Sequence, residues 1–149
     1  MNLKQQEFVD VPLFELSTFV IYEINKIGLD TMMIGTKAIR YTDRYSVDNI
    51  NYTDNTQEYI ANMKANNGIY KNDILTLTGD VLYNREDGLV METSKAIYNK
   101  KNTITTIDND YVSYQGNNRV IGSSAVYNNK LNKIASKNVI VKYQIKENK

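Results

Sequence analysis

The chain contains no histidine and no cysteine. That removes the imidazole base, the thiolate nucleophile, the disulfide staple and the thiolate metal site together. Tryptophan is absent and phenylalanine scarce, with 3 residues against 12 tyrosines. An apolar ring with a polar tip suits half-exposed sheet faces. The single proline, Pro12, precedes the first patterned segment, so the ladders beyond it are uninterrupted. The longest apolar run, Phe19-Val20-Ile21-Tyr22, falls far short of the roughly 20 residues that span a bilayer. There is no secretory apolar core and no phosphate-binding glycine loop.

The near-neutral charge hides an asymmetry. Residues 1–95 carry 9 Lys/Arg against 14 Asp/Glu, and residues 96–149 carry 9 against 3. The first part is therefore net −5 and the second net +6. A basic C-terminal half can meet an anionic ligand or present a solvated lysine face. The overall balance argues against a nucleic-acid groove.

Residues 1–12 read as a tail or linker, and residues 13–147 as one domain. From Leu13 the pattern has period two, with Phe14, Leu16, Val20, Tyr22 and Ile24 expected on one face of a long strand. Gly28 marks a turn, and Thr31 to Tyr41 is extended again. Residues 46–68 are rich in Asn and Asp and are expected to be strand from their context. Leu75, Leu77, Val81 and Tyr83 alternate with polar residues, and Asp87-Gly88 signals a tight hairpin. Thr103 to Tyr114 repeats the pattern, and Val139, Val141, Tyr143 and Ile145 end it.

The chain also repeats itself. Gly68-Ile69-Tyr70, Ala96-Ile97-Tyr98 and Ala125-Val126-Tyr127 recur at steps of 28 and 29 residues, with Lys37-Ala38-Ile39-Arg40-Tyr41 a degenerate first copy. Such a unit is a stackable hairpin module. The expected fold is all-β: an elongated, open β-jellyroll or twisted antiparallel sandwich of stacked hairpins. A β-sandwich of similar hairpins without open ends is the plainer alternative.

No catalytic constellation emerges. Asp87 is explained by its turn, and Asp43 and Asp48 are expected in a polar loop. Asp108-Asn109-Asp110 opens like a calcium loop, but Ser113 and Arg119 stand where that loop needs Gly and Glu. A binding protein is expected rather than an enzyme, with no cofactor and no metal. Splayed sheets would leave an apolar trough, which binds acyl chains at roughly 0.8 kcal/mol per buried methylene.

In this order the residues resemble the LptC/LptA group, the OstA-like domains of the lipopolysaccharide transport machinery, over about residues 13–147. The resemblance rests on Phe19-Val20-Ile21-Tyr22-Glu23-Ile24-Asn25 followed by Gly28-Leu29, then Lys37-Ala38-Ile39-Arg40-Tyr41. Leu75-Thr76-Leu77-Thr78-Gly79-Asp80-Val81, Asp87-Gly88, Glu92-Thr93, Ala96-Ile97-Tyr98-Asn99 and Val120-Ile121-Gly122 follow. Each phrase is short; the ordered set carries the resemblance. It implies a periplasmic β-jellyroll tethered to the inner membrane by an N-terminal helix that this chain lacks. A soluble LptA-like bridge is the alternative. It also implies a conduit that accepts lipopolysaccharide from the ABC transporter LptB2FG and passes it to LptA.

The expected lipid contacts are the alternating apolar residues Leu16, Val20, Tyr22, Ile39, Leu75, Leu77, Val81 and Tyr83. Met91, Ile97, Ile104, Val112, Ile121 and Val139 complete them, and each of these residues is read alternatively as core. Gly122, inside an apolar segment, is expected to allow close approach of backbone or ligand, or to mark a bulge. Val139, Val141, Tyr143 and Ile145 are expected to dock LptA as a sheet edge, with the edge near Phe14 to Tyr22 facing the transporter. Association of two copies through the sheet edges, in a scaffold without lipid, is the competing reading.

Overall fold

The structure, a computed structural model, describes residues 10–131 and 133–143. Every regular element among them is a strand: β1 (Phe14–Ile24), β2 (Leu29–Arg40), β3 (Tyr45–Asp54), β4 (Ala61–Lys71), β5 (Ile74–Arg85) and β6 (Val90–Asn99) are long. β7 (Ile104–Ile107), β8 (Tyr111–Gln115), β9 (Asn118–Gly122), β10 (Ser124–Asn128), β11 (Lys133–Lys137) and β12 (Ile140–Lys142) are short. All pair antiparallel in one open sheet that does not close into a barrel. No helix of the described residues is long and apolar enough to cross a membrane.

The sheet is folded along a crease. Strict alternation would carry the inward face of β1 from Leu16 through Val20. Thr18, with φ of 45°, resets it, so that Phe19 is the buried residue. The same reset occurs at Asn49 in β3 (φ 52°) and around Asn66-Asn67 in β4, where the register shifts. In β5 it falls at Gly79 and Asp80, with φ of 80° and 47°. These left-handed residues and bulges bend each strand. Beyond β6 the bend becomes a break. The early part of β6 pairs with β8 and its late part with β7. Asp108-Asn109-Asp110, Ser123 and Asn138 then separate the short strands.

Two leaves result. The first holds the outer halves of β1–β6 that continue into β7, β10 and β11; the second holds the halves that continue into β8, β9 and β12. Polar side chains line the crease. Asn49 Nδ2 donates to Thr36 Oγ1 at 2.9 Å, and Thr93 Oγ1 donates to the Asp110 carbonyl at 2.9 Å. Asn138 Nδ2 donates to Ser123 Oγ at 2.9 Å. The Asn-rich composition thus serves the bends, where asparagine tolerates positive φ.

Residues 46–68 are strand as expected, apart from the β3–β4 turn, and Asp48, expected in a loop, is paired within β3 instead. The hairpin at Asp87-Gly88 is present, with Gly88 at φ 96°. The alternation over Thr103 to Tyr114 falls in two strands, β7 and β8, because Asp108-Asn109-Asp110 forms the corner between the leaves.

Candidate functional site

Register arranges the inward residues in rows across the leaves. On the first leaf Leu16, Ala38, Val47, Gly68, Leu77 and Ala96 are successive cross-strand partners, and Ile107, Ala125 and Ser136 continue the row. Large and small alternate. The small member of each sequence repeat falls here, so the repeat encodes this row. The next row is Tyr45, Tyr70, Leu75, Tyr98, Thr105, Tyr127 and Ile134.

The second leaf carries a row of softer residues: Ile21, Met33, Tyr52, Met63, Tyr83, Met91, Ser113, Val120 and Val141. Methionine is unbranched and fills irregular gaps, so this row can repack around a guest. A third row of the same leaf, Glu23, Thr31, Asp54, Ala61 and Arg85, is mostly polar.

That polar row meets the tyrosine row and shuts the side opposite the crease. Tyr98 donates its hydroxyl to Asp54 Oδ2 at 2.6 Å, and Asp54 Oδ1 also accepts from the Thr56 backbone N–H at 2.8 Å. Asp54 is 1% exposed, so these donors replace water around a buried carboxylate. Burial, with Asp54 beside it, holds the Tyr98 hydroxyl protonated far above the ordinary tyrosine range. Arg85 donates to Tyr127 Oη and grips Asp87 through Nε and Nη2 at 2.7 and 2.6 Å. The Asp87 hydrogen bonds keep the Arg85 guanidinium charged, and Arg85 in turn lowers the Asp87 carboxyl below its usual value. Lys100 Nζ bonds Glu23 Oε2 farther along the seam.

Between the leaves lies a narrow apolar slot with a cavity of about 20 Å³, space on the order of one water molecule. Met63, Val81, Tyr83 and Met91 line it from one leaf, and Leu77, Ala96, Thr105 and Ile107 from the other. The two ends are not covered by further strands among the described residues. β1 pairs only with β2 at one end, and β11 and β12 each have one partner at the other. At the latter end the inward-facing Ile134 and Val141 are 52% and 53% exposed. Lys133 and Lys137 on β11, Lys142 on β12 and Arg119 on the neighbouring β9 alternate with these inward positions and face the other side of the sheet at that end.

Of the expected lipid contacts, Leu75, Leu77, Val81, Tyr83 and Met91 face inward and are buried, and Leu16 faces inward at the β1 end. Val20, Tyr22, Ile39, Ile97, Ile104, Val112 and Ile121 lie on the other face of the sheet. Each neighbours an inward residue: the reset at Thr18 turns Val20 and Tyr22 outward, Ala38 and Ala96 take the inward positions beside Ile39 and Ile97, and Ile104, Val112 and Ile121 alternate with the inward Thr105, Tyr111 and Gly122. Val139 sits exposed between β11 and β12. Gly122 does admit a close approach, but by a side chain: a Cβ there would stand 2.6 Å from Tyr111 Cε1. The Tyr111 hydroxyl shares a 2.5 Å hydrogen bond with Ser136 Oγ, tying the leaves at that end. Of the docking residues, Val141 lies in β12, Val139 and Tyr143 flank that strand exposed, and Ile145 lies outside the described residues.

Met33, Tyr52, Met63 and the Asp54–Tyr98 pair were not anticipated from the sequence. Period two from Tyr52 does place Asp54 on the same face. Choosing that face over its neighbour required the register. No protein-family model matches the chain, and no curated protein matches it in sequence.

Proposed function

We propose that this chain is a lipid conduit of the LptC/LptA kind. It would hold the acyl chains of lipopolysaccharide between its leaves, accepting them from LptB2FG and passing them to LptA. The observation that carries this reading is the row from Ile21 through Met33, Tyr52, Met63, Tyr83 and Met91 to Val141. It runs between the leaves from the first strand to the last, with no strand among the described residues capping either end. An acyl chain meets similar surfaces along this row, so it is held without being trapped. Each methylene withdrawn from water contributes roughly 0.8 kcal/mol. The lysines and Arg119 around the β11–β12 end suit an anionic headgroup. The matching location is the periplasm, beside an inner-membrane tether. The ordered resemblance of the sequence adds to the same reading.

Native mass spectrometry of the chain, titrated with lipid A and with a neutral phospholipid, tests it. Saturable binding selective for lipid A is expected. Absence of binding, with concentration-dependent oligomers in its place, would favour the second reading. In that reading the chain is a β-scaffold that associates through the unpaired edges of β1, β11 and β12.

A further inference from the structure

The slot is apolar in almost all its lining, yet four of its residues carry hydroxyls: Tyr83, Thr93, Thr105 and Tyr127. Two of these are satisfied. Thr93 donates to the Asp110 carbonyl, and Tyr127 accepts from Arg85. The other two, Tyr83 Oη and Thr105 Oγ1, are buried with no hydrogen-bond partner among the described residues. Both residues are 7% exposed. They come from opposite leaves, Tyr83 from β5 and Thr105 from β7, and line one cavity.

Buried hydroxyls are ordinarily paired, because an unpaired one forfeits its hydrogen bonds to water. Two in one apolar slot, where phenylalanine and valine would fill the same space, need a reason. Each can donate one hydrogen bond and accept others. An oxygen on a guest chain would supply what the protein withholds. We infer that the slot selects acyl chains bearing a hydroxyl group over plain ones, with Tyr83 and Thr105 as the residues that read it. This rests on the acyl-chain reading above and specifies its substrate.

The test compares stearate with two hydroxystearates, one substituted near the carboxyl group and one in mid-chain. Each is titrated into the full chain by competition with a fluorescent fatty acid. At least one hydroxystearate binds about three- to tenfold tighter than stearate, the return expected from pairing one or two buried hydroxyls. In the Tyr83→Phe/Thr105→Val double variant that ratio falls to about one. The double variant melts no lower than the parent, since it loses only unpaired oxygens. Stearate binding that saturates with no preference for either hydroxystearate overturns this inference and leaves the acyl-chain reading standing. A preference that survives in the double variant overturns it as well. Failure of all three fatty acids to bind overturns the acyl-chain reading and this one with it.

Discussion

The Tyr98 hydroxyl and Asp54 Oδ2 meet at 2.6 Å across the mouth of the folded sheet, 44 residues apart in sequence. Tyr98 comes from one leaf and Asp54 from the other, and their rings and chains are buried together; the Tyr52 and Tyr98 ring centroids are 6.4 Å apart. The crease holds the leaves on one side, and this pair with Arg85–Tyr127 holds them on the other.

Removing one partner therefore leaves the other stranded. Tyr98→Phe should cost about 1.5–3 kcal/mol, the range for a hydrogen bond to a charged group. Asp54→Ala should cost as much or more, because the Tyr98 hydroxyl and the Thr56 N–H lose their acceptor together. Urea unfolding of both single variants and the double variant gives the coupling. A coupling near zero would mean that the seam does not join the leaves.

Leu77 and Ile97 separate the inner face from the outer. Leu77 is 0% exposed in the core and Ile97 is half-buried on the opposite face. Leu77→Ala should cost about 2–5 kcal/mol, whereas Ile97→Thr should cost less than about 1 kcal/mol. Denaturant midpoints of the two variants check the order. The reverse order would reverse the face assignment.

Gly122 is held free of a side chain by Tyr111. A Cβ would sit 2.6 Å from Cε1 and 2.8 Å from the hydroxyl of that ring. Gly122→Ala should destabilise by about 1–3 kcal/mol through overpacking. Tyr111→Leu in the same chain should recover part of the loss by withdrawing the ring. Thermal melts of the single and double variants decide it; purely additive losses would show that the ring is not what excludes the side chain.

Stability should also fall in alkali. Burial raises Tyr83 and Tyr70 to about 12, above the ordinary value of 10.0. Between those values the unfolded chain loses protons that the folded chain keeps, so the unfolded state gains. The stabilisation is complete below pH 10 and is lost as pH rises toward about 12. Urea midpoints measured across that range should fall, and less steeply in Tyr83→Phe. At the acid end the sign is opposite. Arg85 lowers Asp87, so its contribution is lost as pH drops below the usual carboxylate range.

Much of this fold is legible in the sequence because it depends on local signals. Asp87-Gly88 names its own hairpin, and the recurrence of a small residue two before tyrosine marks adjacent rows of one leaf. The faces are harder. In Ala96-Ile97-Tyr98 both parities are apolar, and composition favours Ile97 as the interior residue. The leaves approach closely at that row, so alanine goes inside and isoleucine outside. In β1 the choice between Val20 and Phe19 turns on one backbone angle at Thr18. A non-glycine residue with positive φ is uncommon and carries no strong sequence mark. The slot depends on register between strands far apart in sequence, so Met33, Met63 and Met91 gather only once the sheet is paired.

The most direct test of the lipid reading places a photo-crosslinking residue at Met91 in one variant and at Val112 in another. The two sites lie on neighbouring strands, β6 and β8, one facing the slot and the other the outer surface. Irradiation with lipid A should give a crosslinked adduct at Met91 and little at Val112. Adducts at Val112 alone, or at neither position, would contradict an interior that carries the acyl chains.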